Sequence, residues 1–112
     1  MRLDRDWIED ILESIANLAE FTKTGRETFL ADLKTQRAVV CELQIIGEAT
    51  KNTSEALKAQ YPQIPWRQMA RTRDRLIHGY HTISPQVVWR IPATHLQKLP
   101  AELQEIFNRL PS

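Results

Sequence analysis

Apolar residues recur along this chain at three- and four-residue intervals almost from end to end, and no stretch alternates with period two. Leu3, Trp7, Ile8, Ile11, Leu12, Ile15, Leu18 and Phe21 form one stripe, which predicts a first helix over about Asp4 to Phe21. Asp6, Glu9, Asp10 and Glu13 fall mostly off that stripe and read as its solvated face. Lys23-Thr24-Gly25 is a break. Thr24 with Glu27 fits a capping box that opens a short helix carrying Phe29, Leu30 and Leu33. A long second helix is expected from about Thr35 to Ala59, with Ala38, Val39, Leu43, Ile46 and Ala49 inward. Asn52, Thr53 and Ser54 weaken it near its end. Gly47 in mid-helix costs about 1 kcal/mol relative to alanine. Close approach of another helix would explain it, and so would room for a ligand.

Tyr61-Pro62-Gln63-Ile64 reads as a short extended linker. The next helix runs from Pro65, suited to a first helical position, to Gly79, suited to a C-terminal stop. Trp66, Met69, Ala70, Leu76 and Ile77 are its apolar stripe. After a turn to Ile83, Ser84 caps a further helix with Pro85 in its first position and Val87, Val88 and Ile91 buried. Pro92 should kink or interrupt that helix, because it removes an internal hydrogen bond. Pro100 starts a final segment with Leu103, Ile106, Phe107 and Leu110 inside. The pattern predicts a single all-α domain, residues 1–112, built as an up-and-down bundle of four to five helices.

The charges single out the helix that starts at Pro65. At about 100° per residue, Arg67, Arg71 and Arg75 lie on its wet side, whereas Arg73 lies within the apolar stripe between Met69 and Ile77. A guanidinium there must meet a carboxylate, a cleft or a subunit interface; Glu48 is a candidate partner by residue type. Asp74 and His78 are four apart and share a face, where a carboxylate can orient an imidazole. His78 sits where the helix runs out, followed by Gly79 and Tyr80. Tyr80 either plugs the end of the bundle or is exposed beside His78.

The formal charge of +1 excludes binding of nucleic acid through bulk charge and leaves only a local basic patch, which Arg67, Arg71, Arg73 and Arg75 supply. Cys41 is alone, so there is no disulfide framework, and His81 and His95 have no Cys or Asp at metal-ligand spacing. No metal site and no cofactor are expected. Trp66 and Trp89 are core aromatics or base-stacking platforms. The absence of a signal peptide or long apolar run points to a cytoplasmic protein with no membrane contact. A chain of 112 residues has a modest core, which favours a homodimer.

Arg73-Asp74-Arg75-Leu76-Ile77-His78-Gly79-Tyr80 resembles the R-x4-H-x-Y signature of HepT-type toxins, a branch of the HEPN ribonuclease superfamily. Ile46-Gly47-Glu48-Ala49 is similar to a stretch of that family's long second helix, and Ile64-Pro65-Trp66-Arg67 to the segment before its motif helix. The resemblance covers roughly Leu3 to Leu99. It implies a HEPN-like bundle and a dimer whose shared cleft cleaves RNA without metal. Arg73 and His78 would be catalytic there, Asp74 supporting, and Arg71 and Arg75 in contact with RNA. It further implies the toxin of a type VII toxin–antitoxin pair. The partner would be a MntA-type minimal nucleotidyltransferase antitoxin, which silences the toxin by AMPylation of Tyr80. The other class of function that fits the sequence is a non-catalytic helical adaptor, the nucleotide-binding partner subunit of a nucleotidyltransferase.

Overall fold

Ile8, Ile11, Ile15 and Leu18 of the first helical stripe are buried, as expected, against a central helix that also packs along the motif helix, whereas Leu3 at its start is exposed. In the computed structural model, which describes residues 2–111 and of Tyr80 the backbone alone, the elements are α1 (Asp4–Thr22), α2 (Arg26–Ala31), α3 (Leu33–Asn52), α4 (Glu55–Gln60), α5 (Trp66–Gly79), a 3-10 turn (Tyr80–Thr82), α6 (Pro85–Leu96) and α7 (Leu99–Arg109). The described residues are thus all-helical, with no strand, and resemble a HEPN-like fold. Among the described residues the helix count is seven rather than four to five. Two breaks, each made by a local side chain, set off the two short helices, and the second of them divides a helix expected to be continuous.

The first break is at Asp32. Its carboxylate accepts from the Lys34 N–H at 3.1 Å and the Thr35 hydroxyl at 2.6 Å, so it caps α3 and separates it from α2. Leu33 therefore begins α3, and it is exposed rather than inside. The expected capping box at Thr24 does not form. Gly25, at φ 99, precedes α2, and no side chain caps it. The second break divides the expected long helix. The Thr53 hydroxyl turns back to the Ala49 carbonyl at 2.9 Å, and Ser54 caps α4 by accepting from the Leu57 N–H at 3.1 Å. Asp4 at the start of α1 accepts from the Ser54 N–H at 2.8 Å and from its hydroxyl at 2.6 Å, which ties this break to the first turn of the chain.

Pro92 neither ends nor splits α6. The helix continues to Leu96 with Pro92 buried, lacking one internal hydrogen bond. The buried residues form one cluster, centred on Ile8, Ile11 and Leu18 of α1, Leu43 and Ile46 of α3, Met69 and Leu76 of α5, and Leu103 of α7. Trp66 and Trp89 take the core role. Trp66 is buried and donates to the Tyr61 carbonyl at 3.0 Å, and Trp89 stacks at a tilt on Phe29, ring centroids 5.2 Å apart.

Candidate active site on the motif helix

Helices α3 and α5 pack against each other at Gly47. A Cβ on Gly47 would stand 2.1 Å from the Cβ of Arg73 and 3.2 Å from the Met69 carbonyl oxygen. Both atoms are fixed to the backbone, so no rotamer relieves the clash, and close helix approach is the reason for the glycine. The same contact points the Arg73 side chain along α3, where residue 48 meets it.

Arg73 is held at two of its nitrogens. Nε pairs with Glu48 Oε2 at 3.0 Å, and Nη1 with Asp74 Oδ1 at 3.1 Å. Each carboxylate is itself braced from α3. Asn52 Nδ2 donates to Glu48 Oε1 at 3.1 Å, and the Lys51 ammonium pairs with Asp74. The side chain of Arg73 is 27% exposed, and its Nη2 has no partner among the described residues. The guanidinium is thus oriented by two carboxylates with one edge left for an external anion. The hydrogen bond from Lys51, and secondarily Arg73, hold the Asp74 carboxyl below its ordinary value against the opposing effect of burial, so it stays ionised at neutral pH.

Asp74 therefore serves Arg73 and Lys51 rather than orienting His78. The imidazole of His78 is exposed near the end of α5 and makes no hydrogen bond among the described residues. It stands five positions on from Arg73, which is roughly 140° around the helix. It lies instead on the wet side with Arg71 and Arg75, which are also exposed. Arg73 and Ile77 line, with Trp7, Cys41, Ile45 and Glu48, a hollow of about 360 Å³ between α1, α3 and α5. The Tyr80 side chain, assigned a role by the H-x-Y match, lies outside the described residues.

Lys51 and Asn52 belong to this network and were not legible as site residues. Their signal is positional, since they follow Glu48 by three and four residues on the helix that faces the motif. Among the described residues, no group of three or more His, Cys, Asp and Glu is arranged to hold a metal ion, and no helix is long and apolar enough to cross a membrane.

The family model "Ribonuclease HepT-like" matches residues 11–106. The chain belongs to the HepT-like ribonuclease family, a branch of the HEPN superfamily. It is 42% identical over 106 residues to "Probable ribonuclease HepT" of Thermococcus cleftensis, covering 94% of this chain and 96% of that protein. It is 43% identical over 103 residues to "Putative RNase MJ0127" of Methanocaldococcus jannaschii, covering 91% of this chain and 83% of that protein. No solved structure matches at a significant level.

Proposed function

We propose that this chain is a metal-independent endoribonuclease, the cytoplasmic toxin of a type VII toxin–antitoxin pair. The observation that carries the reading is Arg73: a guanidinium braced by Glu48 and Asp74, one edge unpaired, on the helix that ends in an exposed His78. RNA contains its own nucleophile. A 2′-OH attacks the adjacent phosphorus as His78 takes its proton, Arg73 steadies the phosphorane charge, and the P–O5′ bond breaks. The products are a 2′,3′-cyclic phosphate and a 5′-OH, whose oxygen receives a proton from a second imidazole.

That second imidazole comes from a second copy. Arg73 and His78 diverge by about 140° on one helix, and a two-fold dimer through α5 supplies another of each to a shared cleft. Ile45 and Ile77, large apolar side chains left 39% and 44% exposed beside the Arg73 hollow, support such an interface. A monomer in sedimentation at micromolar concentration contradicts it. Arg71 and Arg75 contact the RNA strand.

Silencing is by a minimal nucleotidyltransferase that transfers AMP to Tyr80, two residues from His78. Each AMP adds one diester phosphate and narrows the cleft, which repels RNA phosphates. Tyr80→Phe keeps nuclease activity and gains no AMP mass by intact-mass spectrometry after co-expression with the partner. AMP mass that persists in Tyr80→Phe places the modification elsewhere.

The activity itself is tested by incubating RNA with the purified protein in EDTA, beside Arg73→Ala and His78→Ala. The expected loss is about 100-fold or more for each variant with helical content unchanged by circular dichroism. Nucleotide binding without RNA cleavage would make the chain the non-catalytic adaptor instead.

A further inference from the structure

On the wet side of α5, away from the Arg73 hollow, α5 and α6 enclose a groove of about 440 Å³. Arg71 and Arg75 line it from α5 and Arg90 from α6, with the neutral donors Gln68, Thr72 and Thr94 between them. No carboxylate lines it, and none of the three arginines is in an ion pair among the described residues. Among the described residues Arg90 bonds through Nε alone, to the Gln86 carbonyl at 3.4 Å, with no partner at either Nη. The groove continues past Gln68 and Arg71 into a second hollow, of about 940 Å³, which adds Arg67; the lysines that line it are already paired, Lys58 with Glu55 and Lys51 with Asp74. In a chain whose formal charge is only +1, Arg67, Arg71, Arg75 and Arg90 line this track with no ion pair among the described residues. Arg75 precedes His78 by three residues, so the track leads to the imidazole along one helix face.

We propose that the α5–α6 groove binds the phosphodiester backbone of a single strand on its way to His78, and that Arg90 is one of its phosphate ligands. The assignment rests on RNA being the substrate. Arg90 stands on a different helix from the motif, so it fixes where the strand lies rather than how it is cut. Three guanidinium groups facing one trough favour consecutive phosphates over a single free anion.

The test uses a short, fluorescently labelled 2′-O-methyl oligoribonucleotide, which cannot be cleaved through its 2′ position. Its anisotropy is followed with the full chain over a salt series. Arg90→Gln should weaken binding about three- to tenfold at low salt and lower the slope of log affinity against log salt by roughly 0.7, the value for one lost contact to a single strand. Arg90→Lys should restore the slope. Wild-type affinity and slope in Arg90→Gln overturn the proposal. So does displacement of the oligonucleotide by millimolar inorganic phosphate or AMP as effective as displacement by unlabelled strand, which would make the groove a small-anion site. Cleavage is measured separately on ordinary RNA. An inert protein that still binds through Arg90 would refute the nuclease reading and leave the groove standing, whereas an active one indifferent to Arg90 would do the reverse.

Discussion

The residue that decides the site is Arg73, and what matters about it is how little freedom it has. Glu48 holds Nε and Asp74 holds Nη1, so under the proposed function the guanidinium would meet a phosphate without first being ordered. Glu48 is thus a positioning residue. Glu48→Gln keeps the shape and removes the charge, a change of about 1.5 kcal/mol for a charge-assisted bond, or roughly tenfold in kcat. Asp74→Asn should cost less, because the Asp74 oxygen that meets Arg73 is shared with Lys51 whereas Glu48 Oε2 serves Arg73 at 3.0 Å. A thermal midpoint unchanged in both variants while kcat falls is the signature expected. Equal loss of stability and rate would make the pair structural. Charge type and helical spacing in the sequence single out Arg73, His78 and Asp74 and offer Glu48 as a partner for Arg73, a pairing that forms. The spacing of Asp74 and His78 allows a contact that does not form, because the Asp74 carboxylate is engaged by Lys51 and Arg73 instead.

At the scale of elements, the α3–α5 crossing places the site. Gly47→Ala would put a methyl group 2.1 Å from the Arg73 Cβ, forcing the helices apart. Overpacking of this kind costs about 1–3 kcal/mol, against which the gain in helix propensity, about 1 kcal/mol, works only partly. We expect a lower melting temperature and an activity loss larger than the stability loss explains. A variant as stable and as active as the native chain would show that the crossing is not tight. The apolar stripes made the five longer helices legible. The two short ones were less so, because their boundaries depend on single side chains, Asp32 and Ser54, and the Ser54 break is fixed by Asp4, fifty residues away. Such a contact leaves no local periodicity to read.

For the whole molecule, one buried group ties stability to pH. His95 is buried on α6, its Nδ1 3.3 Å from the Ile91 carbonyl, and burial lowers its pKa below the ordinary imidazole value. The unfolded chain therefore takes up the proton first. Stability is full above about pH 6.5, the unfolded value, and falls as the pH drops from there toward the lower folded value. Thermal melts of the native chain should decline over that window, and His95→Gln should flatten the decline. Equal slopes in both would assign the effect to other groups. Catalysis is the larger claim, and it rests on the helix that carries Arg73 and His78. Its most direct measurement is the chemistry of the cut ends, by mass spectrometry of an oligoribonucleotide digested in EDTA by the native chain and by His78→Ala. The account predicts 2′,3′-cyclic phosphate and 5′-OH ends from the native chain and intact substrate with His78→Ala. Ends bearing a 5′-phosphate, cleavage abolished by EDTA, or the same products from His78→Ala would contradict it.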